Sequence, residues 1–361
     1  MVTTKQLKDK LTKEKADTTP KPTDFLSTGS SLLDLAISGQ VGGGFLKGQY
    51  HYLVGDSMSG KTFLSLTCLA EAAINHHFAE YRFIFDNAED GALMDIEKFF
   101  GRSVSNRIEP PAMNKGGASI FSQTIEDFYY HVDDAIEDGR PFIYILDSMD
   151  SLSSKAEGKK FDEQKMAARK GKKVTGSYGD GKAKANSSNI RQIRNRLKAT
   201  GSILIVISQT RANFDISYET RTRAGGKALT FYATWEVWSS CGKKIVKTVK
   251  GKPRAIGVNA ILHVRKNRVT GRDRKVEVPI YYEMGFDDIG GCVSWLIEEE
   301  HWEETKKGMF DVSDLGIKGS ETRIVRQIEE KGLEKDLKEV VQEVWDEIEE
   351  ACKPKRKKRY E

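Results

Sequence analysis

The chain has 361 residues, 38% of them hydrophobic and 31% charged, and a formal net charge of +5. The hydrophobic fraction is large enough for a substantial core, which excludes a chain that is disordered throughout. The four cysteines are scattered without CxxC spacing, which excludes a small disulfide-rich secreted domain and suits a reducing compartment. The longest apolar run, Ile203–Ile207, is too short to cross a bilayer, and "MVTTKQLKDKLTKEK" lacks the apolar stretch of a signal peptide. We therefore expect a soluble intracellular protein.

Helical and strand-like segments alternate along most of the chain, as judged from the spacing of apolar residues. In chain order the predicted elements are a charged helix at 5–15, a helix in "STGSSLLDLAISG", a strand in "GQYHYLV", a helix at 62–77, a strand at 81–86, a helix at 125–138, a strand in "PFIYILDS", a helix at 188–200, a strand in "SILIVIS", and strand-like runs in "ALTFYATWEVWSS", near 260–265 and at 275–282. Residues 155–185 interrupt the pattern because they are rich in Lys and Gly and lack apolar periodicity. Residues from about 321 to 352 predict a charged amphipathic helix.

This alternation predicts an α/β fold with a mostly parallel sheet that is covered by helices. We divide the chain into an N-terminal helix and linker at 1–26, a core at 27–305, and a small helical C-terminal extension with a basic tail at 306–361.

The segment "GDSMSGKT" lies between a predicted strand and a predicted helix. Its spacing fits GxxxxGK[ST], a loop whose backbone N–H groups face a phosphate chain at the start of a helix. Lys61 would contact the β- and γ-phosphates, and the Thr62 hydroxyl would ligate Mg²⁺. The sequence therefore predicts a nucleoside triphosphate site formed by Gly55, Asp56, Ser57, Met58, Ser59, Gly60, Lys61, Thr62 and Phe63.

Acidic residues follow two other predicted strands. Asp147 ends the apolar run "FIYIL", where a P-loop protein has the second protein ligand of its magnesium ion. Glu89 follows the strand at 81–86 by a few residues, where a carboxylate can orient the attacking water. On the residues alone, Asp86 and Asp90 are alternatives for this role.

Together these segments resemble the RecA family of homologous-recombination ATPases, from about Ser27 to Trp302. "GDSMSGKT", "FDNAED", "YILDSMDSL" and "ILIVISQTR" resemble family segments, and "AGGKALTFYAT" resembles its Gly-Gly-x-Ala-Leu-x-Phe-Tyr-Ala stretch. The resemblance implies a RecA-like P-loop ATPase core that uses ATP and Mg²⁺, with Glu89 as general base and Gln209 as the residue that senses the γ-phosphate. "HVRKNRVTG" resembles the family's Lys-Asn-Lys hairpin, which implies that Lys266 and Arg268 reach the ATP of a neighbouring subunit.

The resemblance also implies two DNA-binding loops, near 155–185 and 211–224, which we expect to be irregular and poorly ordered without DNA. The first has ten Lys or Arg and four acidic residues, and both contain aromatic side chains. This composition suits contacts with the phosphates and bases of single-stranded DNA. The predicted DNA contacts are Lys159, Lys160, Arg169, Lys170, Lys172, Lys173, Arg211, Phe214, Arg221 and Arg223.

Three features depart from the family pattern. The first DNA loop is longer and more basic than the family pattern leads us to expect. Ile96 falls where the family usually has an aromatic ring that stacks on adenine. The chain ends in "KPKRKKRYE", where many members have an acidic tail, and this basic end could recruit duplex DNA or could simply increase solubility. The departures suggest a divergent member from a phage or a similarly distant source, acting in the cytoplasm of a bacterial or phage-infected cell.

The resemblance as a whole implies a recombinase that forms helical filaments on single-stranded DNA and pairs it with homologous duplex DNA. A ring helicase or a recombination mediator with the same ATPase core is the alternative. A third hypothesis is a DNA-binding scaffold that uses ATP only to order its filament, without needing hydrolysis.

Overall fold

The structure is a computed structural model that describes residues 19–170, 180–212, 221–223, 226–356 and 359, with the backbone alone for 180, 211–212 and 221–223. Its strands are β1 (Phe25–Leu26), β2 (Phe45–Leu46), β3 (Tyr50–Gly55), β4 (Arg82–Asp86), β5 (Ile108–Glu109), β6 (Ala112–Met113), β7 (Ser119–Ile120), β8 (Phe142–Leu146), β9 (Ile203–Ala212), β10 (Arg221–Arg223), β11 (Trp235–Val249), β12 (Lys252–Asn267), β13 (Arg274–Tyr281), β14 (Gly285–Phe286), β15 (Glu303–Lys306), β16 (Met309–Val312) and β17 (Ile317–Gly319).

The α-helices are α1 (Ser31–Ser38), α2 (Lys61–Ile74), α3 (Ile96–Phe100), α4 (Arg102–Ser105), α5 (Ile125–Glu137), α6 (Lys155–Arg169), α7 (Asp180–Thr200), α8 (Lys227–Tyr232), α9 (Asp288–Glu298), α10 (Glu321–Lys331) and α11 (Glu334–Ala351). Short 3₁₀ helices lie at Pro22–Asp24, His76–Phe78 and Ser313–Leu315. Within the described parts of the chain, none of these helices combines the length and the apolar character that a membrane span requires.

The main sheet has the strand order β14-β13-β12-β11-β3-β9-β8-β4-β5, and β10 pairs with the end of β9. Neighbouring strands from β11 to β5 are parallel, and those from β11 to β14 are antiparallel. This arrangement confirms the predicted α/β fold with a mostly parallel, helix-covered sheet.

Alternate side chains of the central strands enter two cores, one on each face of the sheet. Leu53 of β3 belongs to one core, and its neighbour Tyr52 belongs to the other. The first core contains side chains of α1, α2 and α9, and the second contains side chains of α5 and α7. Because successive residues of a strand point to opposite faces, an unbroken apolar run such as "FIYIL" supplies both cores.

The structure corrects the prediction that 155–185 is irregular. Residues 155–169 form α6, and residues 180–185 are the first turns of α7. Ser154 begins α6 with a reciprocal capping box to Glu157, a common helix-start signal. Each side chain of α6 remains at least partly exposed, so no apolar stripe marked the helix in the sequence. Residues 171–179, like the predicted helix at 5–15, lie outside the described residues.

Two further predictions need correction. The run "ALTFYATWEVWSS" begins with helix α8, and only its second half is strand β11.

The predicted helical extension begins with the small sheet β15-β16-β17, and its single long helix is divided into α10 and α11 at Gly332, whose φ is +65°. Ile324 and Val341 of these helices share a core with Leu33 of α1, so the C-terminal helices pack directly on the sheet domain. The domain boundary at 305/306 stays a prediction.

An ion pair fixes the end of α11 against the sheet. The side chain of Glu349 is only 8% exposed. Its carboxylate accepts hydrogen bonds from Arg274 Nε at 2.7 Å and from Arg274 Nη2 at 2.9 Å. Arg272 approaches the same carboxylate at 3.2 Å. The contact with Arg274 holds the pKa of Glu349 below its ordinary value. A bidentate contact of this kind is stronger and more directional than a single surface ion pair.

We therefore expect Glu349→Ala to lower the free energy of unfolding by about 2 kcal/mol, because two arginines lose a charged hydrogen-bond acceptor at a largely buried site. Urea titration followed by circular dichroism measures this quantity. The exposed Glu347 on the same helix provides the control, since Glu347→Ala should change stability by no more than about 0.5 kcal/mol. Equal effects of the two substitutions would contradict the account of α11 docking.

Candidate active site

The P-loop connects the end of β3 to the start of α2. Two of its positions require glycine, because a Cβ on Gly55 would lie 2.2 Å from the Ser239 carbonyl oxygen and one on Gly60 would lie 2.4 Å from Ile280 Cδ1. Gly60 also has a φ of +86° immediately before the helix. The loop thus has the strand–loop–helix setting that a phosphate site needs, with a helix N-terminus at its end.

Lys61 and Thr62 lie in the first turn of α2. The Lys61 side chain folds over its own loop, where Nζ donates to the Asp56 carbonyl oxygen at 2.6 Å. Thr62 Oγ1 donates to Asp147 Oδ2 at 2.6 Å. The two predicted metal ligands are therefore in direct contact, although 85 residues separate them in the chain.

The electrostatics of this site are dominated by carboxylates. Burial lowers the pKa of Lys61, while nearby Asp147, Glu89, Asp56 and Asp150 act in the opposite direction. Burial also raises the pKa of Asp147, and the negative charge of Glu89 adds to this shift. A bound cation would stabilise the charged form of Asp147. Within the described residues, however, no group of three His, Cys, Asp or Glu side chains could by itself hold a metal ion. This is the pattern expected where Mg²⁺ takes few protein ligands and completes its shell with phosphate oxygens and water.

Glu89 lies on the same edge of the sheet. Its backbone N–H donates to the Asp147 carbonyl oxygen at 2.9 Å, and its carboxylate accepts from Ser148 Oγ at 3.0 Å. Gln209 Nε2, at the carboxyl-terminal part of β9, donates to Glu89 Oε1 at 2.7 Å. The structure thus brings together the residues to which the sequence assigned the roles of general base and γ-phosphate sensor.

The two alternatives to Glu89 lie in different surroundings. Asp86 is fully buried and accepts hydrogen bonds from Tyr144 and from the backbone and hydroxyl of Ser122. Asp90 is exposed and has a φ of +51°. Only Glu89 of the three contacts Gln209 in the described structure, so the geometry favours Glu89 for the water-activating role.

A cavity of about 460 Å³ lies beside the P-loop. Its walls include Phe63, Met94, Phe99, Tyr281 and Tyr282, together with the P-loop residues from Met58 to Thr62. Ile96 is not part of this lining but packs against the core. Aromatic surface for a base is therefore available from Phe99, one helical turn beyond Ile96, and from Tyr282.

Comparison with known proteins shows similarity to one family. The RecA N-terminal domain model matches residues 132–287. Protein RecA of Streptomyces venezuelae is 26% identical over 287 residues, which cover 78% of this chain and 66% of the relative. Protein RecA of a Synechococcus species is 25% identical over 323 residues, covering 88% of this chain and 74% of the relative. Protein RecA of a Prochlorococcus marinus strain is 27% identical over 277 residues, which cover 76% of this chain and 66% of the relative. The chain is thus similar to RecA proteins over most of its length.

The matched part of the chain spans about two thirds to three quarters of the length of these relatives. The family model begins after the P-loop and covers the strands from β8 to β14. The similarity to the RecA proteins supports a recombinase-type function at the level of the family.

The two predicted trans-acting cations contact helix α8 within the same subunit. Lys266 Nζ donates to the carbonyl oxygens of Phe231 and Ala233 at 2.9 and 2.8 Å, and also contacts that of Thr230. Arg268 donates to the Phe231 carbonyl oxygen at 2.5 Å. Burial, with a smaller effect of Arg268, lowers the pKa of Lys266 to about 8. Both cations therefore stabilise the C-terminal end of α8, a contact that the sequence did not predict.

The predicted DNA contacts of the first segment lie on a helix. Lys159, Lys160 and Arg169 belong to α6, and Lys170 is its C-terminal cap. Phe161 and Met166 are exposed on the same helix. Lys172 and Lys173 lie outside the described residues.

The second segment is described only at its two ends. Thr210, Arg211 and Ala212 of β9 pair antiparallel with Arg223, Thr222 and Arg221 of β10. Phe214 lies outside the described residues. The predicted loop therefore leaves and re-enters the sheet through a short two-stranded base.

Sequence reasoning missed two residues that organise the site. Asp150 Oδ2 accepts from Ser208 Oγ at 2.6 Å and from the Gln209 backbone N–H at 2.7 Å. Ser148 holds the Glu89 carboxylate. Both follow Asp147 within "DSMDS", so their closeness to the predicted magnesium ligand was the available signal.

Proposed function

We propose that this chain is an ATP-dependent DNA recombinase that forms filaments on single-stranded DNA and promotes homologous pairing and strand exchange with duplex DNA. The observation that carries the proposal is the contact of Gln209 with Glu89 beside the Thr62–Asp147 pair. Gln209 is followed directly by the second predicted DNA segment, so one side chain connects the hydrolytic site to that segment.

In this proposal the P-loop and Lys61 bind the phosphates of ATP, and Thr62 and Asp147 hold Mg²⁺. The metal supplies charge neutralisation on the phosphates when it is bound. The cavity walls formed by Phe99 and Tyr282 provide aromatic surface for the adenine base, in place of Ile96. Glu89 accepts a proton from the attacking water, and Gln209 reports the γ-phosphate.

Lys266 and Arg268 act on the ATP of a neighbouring subunit in this scheme. A cation supplied in trans at a phosphoryl-transfer site is worth roughly 10³–10⁵ in rate. Because both side chains also hold the end of α8, which follows the second DNA segment, a change at the subunit contact would reach that segment through α8.

Strand exchange is the direct test of the proposal. A fluorescently labelled duplex is mixed with a homologous or a scrambled single strand, with MgATP present or withheld. The expected result is a product that requires both ATP and homology. Unwinding of a forked duplex without homology dependence, together with rings in electron micrographs, would replace the proposal by a helicase, and stimulation of another recombinase alone would indicate a mediator.

We expect Glu89→Gln to reduce ATP hydrolysis by roughly 10²–10⁴-fold, because it removes the proton acceptor while keeping the size of the side chain. ATP stays bound, so DNA binding persists. Phosphate release and DNA retention after ATP addition measure the two effects. Asp90→Asn, one residue further along the chain, is the matched control and should leave hydrolysis near the wild-type rate. A scaffold that needs only ATP binding would keep its strand-exchange activity in Glu89→Gln.

Replacing Lys159, Lys160, Arg169 and Lys170 by Gln tests the DNA role of α6, since Gln keeps the helix propensity and removes four charges. If all four contact phosphates, the slope of log affinity for single-stranded DNA against log salt should become shallower by up to about 3, at roughly 0.7 per contact. The control replaces four exposed lysines elsewhere, Lys306, Lys307, Lys331 and Lys335. If the two variants had equal slopes of log affinity against log salt, α6 would not be part of the DNA-binding surface.

A further inference from the structure

A second contact joins the P-loop to the second DNA segment. We infer that Asp56 and Thr210 act as positioning residues that couple nucleotide binding to this segment, in addition to Gln209. The inference rests on the proposed function, because it assumes that the P-loop binds MgATP and that the segment beyond Thr210 binds DNA.

The register of the sheet places these two residues side by side. Gly55, the last residue of β3, is aligned with Gln209 of the parallel strand β9. The next residues along the two strands are Asp56 and Thr210, and Thr210 Oγ1 donates a hydrogen bond to Asp56 Oδ1 at 2.5 Å. The P-loop is thus attached to β9 by a side-chain contact immediately beyond the Gln209–Glu89 contact.

Thr210 also lies at the base of the second DNA segment. Its backbone is paired with Arg223 of β10, the strand by which the segment returns to the sheet. A change in the position of Thr210 therefore acts on both ends of the segment, and Arg211 and Arg223, two predicted DNA contacts, are its sequence and ladder neighbours.

Asp56 is equally well placed to respond to the nucleotide. Its carbonyl oxygen accepts from Lys61 Nζ at 2.6 Å and from Ser59 Oγ at 2.7 Å. When Lys61 extends toward a triphosphate, it releases this carbonyl oxygen, and the P-loop loses one of the contacts that fix Asp56.

The charge of Asp56 determines whether bound nucleotide strengthens or weakens the Asp56–Thr210 contact. A carboxylate in a phosphate-binding loop is repelled by the bound phosphates, and the repulsion is smallest when the carboxylate is turned away toward a donor. Thr210 is that donor. Bound nucleotide therefore favours the Asp56–Thr210 contact, which in turn holds β9 against β10 at the base of the segment.

Hydrogen exchange tests the inference without requiring DNA binding. Amide exchange is followed in peptides that cover 208–212 and 221–226, with and without a slowly hydrolysed ATP analogue and Mg²⁺. In the wild-type chain the analogue should slow exchange by about 5–150-fold, the usual range for coupled sites. Thr210→Val removes the hydroxyl at nearly constant volume and should lose most of this slowing, whereas Thr210→Ser should keep it.

Two further variants separate charge from structure. Asp56→Asn keeps an oxygen that can accept from Thr210 but removes the charge, so the contact should persist while the response to nucleotide is reduced. Thr322→Val, on the exposed side of α10, controls for the loss of a threonine hydroxyl and should behave as wild type.

The outcomes distinguish this inference from the proposed function. The inference is overturned if Thr210→Val retains the full response, or if saturating analogue leaves exchange of these peptides unchanged in the wild-type chain. If exchange responds as expected but affinity for single-stranded DNA does not depend on nucleotide, the proposed function fails and the coupling stands. Failure to bind a fluorescent ATP analogue at all would end both.

Discussion

The whole arrangement depends on the carboxyl ends of four neighbouring parallel strands meeting at one edge of the sheet. In the order β3-β9-β8-β4, Gly55 of β3 is aligned with Gln209 of β9, and Leu146 of β8 is aligned with Val206 of β9 on one side and with Asp86 of β4 on the other. The residues that follow each strand are therefore neighbours in space, although they are far apart in the chain. Open α/β sheets bind their ligands at this edge for the same reason. The closeness of the P-loop to Asp147, Glu89 and Gln209, the proposed magnesium ligand, base and sensor, is a consequence of this strand order.

The segments that meet at this edge could be recognised in the sequence because each carries a local signal. A glycine-rich loop between a strand and a helix, and acidic residues after apolar runs, can be recognised without knowing which strands are neighbours. The contacts between loops could not be recognised in this way. Asp56 meets Thr210, and Asp150 meets Ser208, only because β3, β8 and β9 lie in a particular order and register. No spacing rule within the chain encodes such pairs.

The errors in the sequence prediction have a different cause. Helix α6 was predicted to be irregular because periodicity reveals a helix only when one face is buried, and α6 buries none of its side chains. Its capping box at Ser154 and Glu157 was the remaining signal. The adenine-stacking position was assigned to Ile96 from a resemblance, and this assignment stays a prediction. The aromatic surface beside the P-loop is supplied by Phe99 and Tyr282.

The same strand edge also explains why carboxylates outnumber cations around the P-loop. Lys61, with only 7% of its surface exposed, is surrounded by Asp147, Glu89, Asp56 and Asp150, and burial keeps the pKa of Asp147 above its ordinary value. Adding phosphates alone to so many carboxylates would be repulsive, whereas Mg²⁺ bound together with the phosphates would bring a cation beside Asp147. The contacts of Gln209 with Glu89 and of Thr210 with Asp56 hold two of these carboxylates in place. In the proposed coupling, a rearrangement of charge at this edge acts on β9 through these two contacts.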